Sequence, residues 1–347
     1  MARAKKRLII VMRFAMTLRS SSLAAALGPR MSSRMMVTQP SVTEIASWKA
    51  HGGYWKRFEH ASLTTGCTMK FSSFIPPGAT PDSPVPVLFY LSGLTCTDEN
   101  VVQKCGASRA AALHNVGLIC PDTSPRGKGV PGEDDNWDFG TGAGFYIDAT
   151  KSPWDASGYN MYSYVTSELR DLIRTGSFAS FLDGDRVSIT GHSMGGHGAL
   201  TIALKDPGAW TSVSAFAPIC HPTNCPWGTK AFSGYLAGGT KEGEMHDAVA
   251  LLRQASNAGN SVSVRALREL PILVDQGSAD TFLSPSKSNG PEGQLQPEAL
   301  QVALSNIDHP DATTNVRIQD GYDHSYFFMA TFIDEHIGWH AKYLKET

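Results

Sequence analysis

The stretch GHSMG (residues 191–195) is the most informative part of this chain, because it fits the pattern G-x-S-x-G. In this pattern a β-strand turns sharply into a helix and lifts a serine above the end of a sheet. Glycines flank the serine because the strained backbone of the turn leaves no space for a Cβ. A β-branched run at 186–190 precedes the stretch, and a run rich in Gly, Ala and Leu at 194–204 follows it. The sequence therefore predicts a nucleophilic Ser193 between a buried strand and a closely packed helix.

Outward from this turn, apolar runs of strand length alternate with helical stretches. Because helical crossovers join parallel strands, this alternation predicts an α/β domain with a mostly parallel central sheet and helices on both faces. Two loop-rich regions, 121–153 and 220–259, are expected over the strand ends, where such folds bind ligands. The predicted strands are 66–75, 85–91, 116–120, 186–190, 212–216, 272–275 and 316–319, and the predicted helices are 99–113, 160–173 and 325–344.

Composition limits the classes of function that this chain can have. Of its 347 residues 41% are hydrophobic, which is enough for a large core, and the formal net charge is −2. Such a small charge gives no reason to expect nucleic acid or a membrane surface as a partner. No uninterrupted apolar stretch approaches the roughly 18 residues of a membrane-spanning helix, so none is predicted.

Cysteine usage indicates reduced thiols in a reducing compartment. Six cysteines in a chain of this length are too few for a disulfide framework, and several lie in apolar, strand-like runs. Cys220, His221 and Cys225 have some likeness to metal ligands, but no second pair with zinc spacing accompanies them. We therefore expect them to be structural residues and predict no metal site.

The leader, residues 1–43, differs in composition from the catalytic domain predicted at 44–347. It contains eight Lys and Arg residues, and no acidic residue occurs before Glu44. Such a basic, acid-free leader is typical of a mitochondrial transit peptide. The alternative is an extended start, with translation beginning at Met31, Met35 or Met36. A secretory signal is not expected, because Arg13 interrupts the first apolar run.

A serine hydroxyl needs a neighbouring base to become a nucleophile, and His324 is the best candidate. It lies in GYDHS (321–325), between the last predicted strand and the last predicted helix, the loop that reaches the serine turn in α/β-hydrolases. His309 follows an aspartate and precedes a proline, as a turn residue does. His336 and His340 lie four residues apart on the last helix, which predicts a surface pair. His192 lies in the turn itself and is expected to point away from its serine neighbour.

The catalytic acid should follow the preceding core strand, and Asp280 lies in the turn after the predicted strand 272–275. It would orient the histidine and stabilise the imidazolium form. Asp275 lies within that strand and is interpreted as a structural carboxylate. The expected oxyanion hole consists of the backbone N–H of Met194, directly after the serine, and that of Leu94, in the loop after an early strand. An ordinary turn is the alternative at Leu94.

Long motifs spread over the chain carry a further signal: LSGLTCTDEN (91–100), PDTSPRG (121–127), WDFGTGAGFYIDAT (137–150), MYSYVTSEL (161–169), GHSMGGHGAL (191–200), VSAFAPIC (213–220), CPWGTKAFSGYL (225–236), VDQG (274–277) and GYDHSYFF (321–328). In these motifs the chain resembles the S-formylglutathione hydrolase family, also called esterase D. The resemblance covers nearly everything from Phe58 to Leu344 and is far more specific than the serine turn alone.

The resemblance implies an α/β-hydrolase fold and hydrolysis of the thioester S-formylglutathione to glutathione and formate, the last step of glutathione-dependent formaldehyde removal. The family's serine, acid and histidine fall on Ser193, Asp280 and His324, the residues selected above. Ser193 would be formylated, glutathione would leave as a thiol, and water would regenerate the serine. The resemblance also implies a cytosolic homodimer with side activity on small esters, and it implies no metal or organic cofactor.

A formyl group needs little space, so bulky aromatic side chains near the serine would favour short acyl chains. The candidates from the loops over the sheet are Trp137, Phe145, Trp227 and Phe282, each of which could equally be a core residue. Cys96 is also expected near the site, as a small buried residue or as a thiol that makes the enzyme sensitive to oxidants and alkylating agents.

The chain departs from the family pattern in two places. One is the basic leader, which leaves the compartment open between cytoplasm and mitochondrion. The other is a polar segment at 284–293, which follows the acid closely and is predicted to be a flexible loop. The segment either alters substrate access or is a solvated insertion without consequence.

Overall fold

The structure is a computed structural model that describes residues 41–259, 262–311 and 315–346. Its strands in these ranges are β1 (Val42–Ala50), β2 (Gly53–Ala61), β3 (Thr68–Ile75), β4 (Val85–Leu91), β5 (Gly117–Pro121), β6 (Leu182–His192), β7 (Val213–Phe216), β8 (Ile272–Gly277) and β9 (Val316–Gln319). They form one sheet in the order β1-β2-β3-β5-β4-β6-β7-β8-β9. The neighbours from β5 to β9 pair in parallel, and β1, β2 and β3 form an antiparallel edge.

The predicted mostly parallel central sheet is confirmed, and the differences lie at its antiparallel edge. Strand β1 begins at Val42, two residues before the domain boundary predicted at residue 44. The sequence predicted neither β1 nor β2. Most side chains of β1 are exposed, and only some of those in β2 are buried, so both strands lack the buried apolar run of a central strand. Residues 1–40 of the basic leader lie outside the described residues.

Two predicted helices are interrupted. Gly106 has a φ of +69° and turns the chain, so the predicted helix 99–113 is two helices, α1 (Glu99–Lys104) and α2 (Ser108–His114). The predicted helix 160–173 contains a π-helical segment, Tyr164–Leu169, between α3 and α4. The helices in the described ranges are α1 (Glu99–Lys104), α2 (Ser108–His114), α3 (Met161–Ser163), α4 (Arg170–Thr175), α5 (Met194–Lys205), α6 (Pro226–Tyr235), α7 (Gly239–Gly243), α8 (Ala248–Asn257), α9 (Val262–Glu269), α10 (Pro297–Ser305) and α11 (Tyr326–Glu346).

Helices cover both faces of the sheet, as predicted. Gly196 of α5 lies so close to β7 that a Cβ added to it would be 3.3 Å from the Cβ of Ala215. The preceding strand residue, Ser214, is hydrogen-bonded through its hydroxyl to His336 and His340 of α11. Because successive side chains of a strand point to opposite faces, α5 and α11 pack on opposite faces of the sheet.

The central strands bring the functional loops to one edge. Every residue of β4, β7 and β8 is buried, as expected for parallel strands that are covered on both faces. The carboxyl ends of β4, β6, β8 and β9 point in the same direction, so the loops after these strands meet at that edge. No helix in the described part of the chain is long and apolar enough to cross a membrane.

Candidate active site

Ser193 occupies a sharp turn between β6 and α5. Its backbone has a φ of 57° and a ψ of −119°, a strained conformation for a residue with a side chain. The flanking glycines are required by close contacts, because a Cβ on Gly191 would lie 2.2 Å from the carbonyl oxygen of Gly195. A Cβ on Gly195 would lie 2.0 Å from the carbonyl oxygen of Leu91. The turn therefore holds the serine at the carboxyl edge of the sheet.

The candidate base and acid form a hydrogen-bonded pair. Nδ1 of His324 lies 2.5 Å from Oδ2 of Asp280, whose side chain is buried. The other carboxylate oxygen, Oδ1, accepts a hydrogen bond from the backbone N–H of Phe282 at 2.9 Å. Because an ionised carboxylate can only accept hydrogen bonds, the imidazole carries its proton on Nδ1 and leaves Nε2 free to act as a base.

Two loops carry this pair, and backbone hydrogen bonds join them. The N–H of Ser278 donates to the carbonyl of Gln319 at 2.9 Å, and the N–H of Ala279 donates to the carbonyl of Tyr322 at 2.9 Å. Gly277 has no space for a side chain, since a Cβ there would lie 2.2 Å from the Tyr322 carbonyl oxygen. The turn after β8 and the loop after β9 therefore form one unit that orients the acid toward the base.

A cavity of about 140 Å³ joins the serine turn, the histidine loop and the loop after β4. A larger cavity, of about 490 Å³, lies around Tyr54 and Phe178, but no histidine or cysteine is among the described residues that line it. Chemistry rather than size therefore selects the smaller cavity as the candidate site. Its lining consists of Gly93, Leu94, Cys96, Trp137, His192, Ser193, Trp227, Phe282 and His324.

Two backbone N–H groups beside the serine have no hydrogen-bond partner among the described residues, those of Leu94 and Met194. Met194 is the first residue of α5, and the first N–H groups of a helix have no partner within it. The loop that carries Leu94 is held in place because the N–H of Thr95 donates to the carbonyl of Gly142 at 3.0 Å. Both free N–H groups are available to an oxygen atom of a bound substrate.

Comparisons with known proteins agree with this geometry. Residues 62–339 match a family described as putative esterase. The S-formylglutathione hydrolase of Rattus norvegicus is 49% identical over 302 residues, which cover 87% of this chain and 98% of that protein. The chain belongs to the S-formylglutathione hydrolase family. The Mus musculus protein of the same name is 48% identical over 305 residues, or 88% of this chain and 99% of that one.

A solved structure supports the same assignment. The S-formylglutathione hydrolase from Agrobacterium tumefaciens is 42% identical, with a TM-score of 0.73, and the match covers 87% of this chain and 99% of that one. Membership of the S-formylglutathione hydrolase family identifies the chain as a hydrolase and its architecture as the α/β-hydrolase fold.

Aromatic side chains form much of the cavity wall in this member of the S-formylglutathione hydrolase family. The ring centroids of Trp227 and Phe282 are 4.7 Å apart, and Phe282 lies edge-on to His324 at 4.9 Å. Trp137 is 57% exposed at the rim and packs edge-on against Trp227 at 5.8 Å. Three of the four aromatic residues selected from the sequence therefore line the cavity.

Phe145 does not line the cavity, so its assignment to the pocket is wrong. Its side chain is fully buried, and its ring lies 5.9 Å from that of His197 in α5. Its carbonyl is hydrogen-bonded to Nε2 of His197 at 3.1 Å. Phe145 and Tyr146 have φ values of 49° and 50°, so the chain reverses here in a way that side-chain type does not predict.

Cys96 lines the cavity, and its Sγ lies 3.5 Å from the Tyr326 hydroxyl. Burial raises the pKa of the Cys96 thiol, and this effect outweighs the hydrogen bond from Tyr326 and the positive charge of Lys104. The group therefore stays a thiol near neutral pH and is a weak nucleophile. This environment favours the interpretation of Cys96 as a small buried residue over its interpretation as a reactive thiol.

His192 contacts His324, the candidate base, and the sequence did not indicate this contact. The ring centroids of His192 and His324 are 4.6 Å apart, and both nitrogens of His192 are buried without a hydrogen-bond partner among the described residues. Burial lowers the pKa of His192 well below its usual value, and charge on His324 lowers it further. His192 is therefore a neutral ring packed against the base. No hydrogen bond joins its described side chain to Ser193, so it does not serve that neighbour directly.

The surface pair predicted at His336 and His340 is wrong, because both side chains are fully buried. The nitrogens of His340 are hydrogen-bonded to the hydroxyls of Ser212 and Ser214 at 2.7 and 2.8 Å. Nε2 of His336 donates to Oδ2 of Asp275 at 3.2 Å. The sheet face under α11 carries hydroxyl groups, so the buried face of this helix carries histidines as their partners.

Asp275 and His309 make the structural contacts that their positions suggested. Asp275 is fully buried in β8 and accepts hydrogen bonds from Arg317 at 2.6 and 2.8 Å. Nε2 of His309 is hydrogen-bonded to the Leu270 carbonyl at 2.9 Å, and its Nδ1 accepts from the N–H of Asp311 at 3.1 Å. Neither side chain lines the cavity at Ser193.

The side chains of Cys220, His221 and Cys225 do not converge in a metal-binding cluster within the described part of the chain. Nδ1 of His221 is hydrogen-bonded to Oδ2 of Asp247 at 2.7 Å. Burial raises the pKa of Cys225 to about 12 and that of Cys220 well above its usual value. Metals bind the thiolate form of cysteine, whereas Cys220 and Cys225 stay protonated near neutral pH. We therefore interpret these two buried thiols as structural residues.

Proposed function

We propose that this chain hydrolyses S-formylglutathione to glutathione and formate through a triad of Ser193, His324 and Asp280. One observation carries the proposal: a serine in a strained strand-to-helix turn shares a small cavity with a histidine that is hydrogen-bonded to a buried aspartate. The names of the rat and mouse relatives, which this chain matches over nearly their whole length, support the choice of substrate.

In the first half-reaction, Oγ of Ser193 attacks the formyl carbon while Nε2 of His324 takes the hydroxyl proton. The carbonyl oxygen becomes an oxyanion, which accepts hydrogen bonds from the N–H groups of Leu94 and Met194. Asp280 stays ionised and stabilises the imidazolium. The carbon–sulfur bond then breaks, His324 gives its proton to the departing sulfur of glutathione, and a formyl ester remains on the serine.

In the second half-reaction, a water molecule takes the place of glutathione. His324 accepts a proton from this water as its oxygen adds to the formyl carbon, and the same two N–H groups stabilise the new oxyanion. The ester bond to Ser193 then breaks and His324 returns the proton to Oγ. Formic acid leaves and releases its proton to the solvent to give formate. The enzyme is restored with no net gain or loss of protons on its residues.

The size of the cavity favours the shortest acyl groups. A volume of about 140 Å³ accepts a formyl group, whereas a longer acyl chain must displace the Trp227 and Phe282 walls. The exposed Trp137 at the rim offers an apolar surface to the leaving group. We therefore expect side activity on small carboxylic esters such as acetates.

The test compares kcat/KM for S-formylglutathione and for p-nitrophenyl acetate with the purified chain. We expect the thioester to be preferred by roughly tenfold or more. Ser193→Ala should remove the turnover of both substrates and leave the thermal unfolding temperature unchanged. His324→Gln is an independent check, because it removes the base and keeps the nucleophile.

Two results would change this proposal in different ways. Better turnover of the aryl ester than of the thioester would keep the serine mechanism and assign a general carboxylesterase instead. Turnover that survives Ser193→Ala would reject the triad itself.

The proposal also includes a cellular setting. Hydrolysis of S-formylglutathione completes glutathione-dependent formaldehyde removal, and we propose that the chain does so as a cytoplasmic homodimer. A mitochondrial location is the alternative, if the leader at 1–43 acts as a presequence. Fractionation of cells that express chains starting at Met1 or at Met36 separates the two locations, and sedimentation of the purified protein gives the oligomeric state.

A further inference from the structure

Gln276 is a buried side chain beside the site that the mechanism above does not use. It lies in β8, next to the turn that carries the acid, and is fully buried. Its Nε2 donates to Oδ2 of Asp280 at 3.0 Å and to the carbonyl oxygen of Gly277 at 3.2 Å. Because both partners only accept hydrogen bonds, the NH₂ side of the amide must face the aspartate.

The other side of this amide is unsatisfied. Oε1 of Gln276 is buried without a hydrogen-bond partner among the described residues. A buried unpaired oxygen destabilises the folded state, and an apolar side chain of similar length would avoid that penalty. The presence of a glutamine here therefore points to the hydrogen bond that it donates.

We propose that Gln276 is a positioning residue for the catalytic acid, because it fixes the Asp280 carboxylate and reduces the negative charge that this carboxylate presents to His324. Oδ2 of Asp280 lies 2.5 Å from Nδ1 of His324 and 3.0 Å from Nε2 of Gln276, and Oδ1 is held by the N–H of Phe282. Three donors from three different positions leave the carboxylate one orientation. This inference rests on the triad mechanism proposed above.

Loss of this hydrogen bond should change catalysis in a pH-dependent way. Gln276→Met keeps the length of the side chain but removes the donor, so more negative charge on Asp280 faces His324. The imidazolium form is then favoured, and a higher pH is needed to obtain the neutral imidazole that acts as base. We expect the acidic limb of the kcat/KM profile to move up by roughly half a pH unit, and kcat to fall about fivefold with little change in KM.

The other titratable groups around His324 stay the same in this variant. His192 at the end of β6 and Cys96 in the loop after β4 line the same cavity, and burial keeps both of them uncharged near neutral pH. Tyr326 of α11 faces His192, and hydrogen bonds from Ser325 lower the pKa of the exposed Asp323. A shift of the acidic limb therefore reports the change at Asp280.

Gln319→Met is the matched control. Gln319 donates to Oδ1 of Asp275 at 3.1 Å, a carboxylate outside the site, so the same substitution there should leave the pH profile in place. Both substrates are used, so a chain that prefers the aryl ester still tests the role of Gln276. An NMR titration of the His324 imidazole, assigned with His324→Gln, follows the same change without any turnover.

The outcomes separate this inference from the proposed function. An upward shift of both the kinetic limb and the His324 titration in Gln276→Met, absent from Gln319→Met, supports the positioning role. A uniform fall of kcat/KM at every pH, or a His324 titration that does not move, overturns it. Failure of the proposed substrate would appear instead in the wild-type chain, as a lost preference for the thioester.

Discussion

At the scale of single residues, two buried histidines show opposite environments. Both nitrogens of His192 lack hydrogen-bond partners in the described part of the chain, and its ring packs against His324. Both nitrogens of His340 are hydrogen-bonded, to Ser212 and Ser214. The first ring contributes shape and packing to the site, and the second joins α11 to the sheet.

The same substitution should therefore have opposite effects at these two positions. His192→Phe keeps the ring and removes two unpaired nitrogens, so we expect the free energy of unfolding to stay equal or to rise by about 1 kcal/mol. His340→Phe removes one hydrogen-bond partner from each of the hydroxyls of Ser212 and Ser214, and we expect a loss of about 2 kcal/mol. Urea unfolding measures both values. A clear destabilisation by His192→Phe would show that its nitrogens are paired in solution.

Chain order was sufficient to select Asp280 and His324, which the structure joins by a hydrogen bond. Asp280 follows one core strand and His324 follows the next, and neighbouring parallel strands bring such loops together. His192 could not be selected in the same way, because its contact with His324 joins two segments that are distant in sequence. Gln276 lies only four residues before Asp280, but the sequence does not show which way its amide points. The sequence signal for Gln276 is the polar pair Asp275-Gln276 after the apolar residues of the buried strand ILVDQG (272–277).

At the scale of elements, the polar segment 284–293 is held by hydrogen bonds, although its composition predicted a flexible loop. Nδ2 of the buried Asn289 donates to the carbonyls of Thr281 and Ser284 at 2.8 and 3.0 Å. Gln294 donates to this segment and accepts a hydrogen bond from the N–H of Trp227 at 3.1 Å. The segment therefore supports a wall of the cavity.

Asn289→Ala should loosen this segment. The substitution removes the two hydrogen bonds that the Asn289 side chain donates to the carbonyls of Thr281 and Ser284. We therefore expect faster proteolytic cleavage within 284–293. Because Trp227 and Phe282 then lose support, kcat/KM should fall by about threefold. Limited proteolysis and steady-state kinetics check the two effects. Lys287→Ala, at an exposed side chain of the same segment, should change neither; equal effects from both variants would contradict the role given to Asn289.

The strands that are buried on both sides are among the elements that the sequence predicted. Every residue of strands β4, β7 and β8 is buried, and these strands were predicted near their observed bounds. Strand β1 has mostly exposed side chains, so its sequence carries no burial pattern to detect. The break between α1 and α2 depends on one backbone angle at Gly106, which composition alone does not determine.

At the scale of the whole molecule, buried neutral histidines make stability depend on pH. Burial lowers the pKa of His197 to about 4 and that of His246 to about 3, and it lowers the pKa of His340 well below its usual value. In the unfolded chain these imidazoles titrate near 6.5, so below that pH the unfolded state binds more protons. Their contribution to stability is therefore complete above about pH 6.5 and is lost as the pH falls toward the folded-state values.

We expect the free energy of unfolding to fall between pH 7 and pH 5. A fully buried histidine such as His197 should account for roughly 2 kcal/mol of the loss at pH 5. His197→Gln should flatten this dependence, whereas His51→Asn, at an exposed histidine between β1 and β2, should not. Denaturant unfolding at several pH values measures the slope. Unchanged stability down to pH 5 would mean that the buried imidazoles accept protons in the folded state.

The position of α11 also affects how the site assembles during translation. This helix packs against β4, β6 and β7, and the loop with His324 directly precedes it. During translation, the serine turn leaves the ribosome long before His324 and α11 are synthesised. A nascent chain that has not reached His324 therefore carries Ser193 without the histidine of the proposed triad, and the part of the sheet that α11 covers stays exposed until this helix emerges. A chain that has not been synthesised through His324 lacks the base of the proposed triad, so it should not trap substrate as a covalent ester.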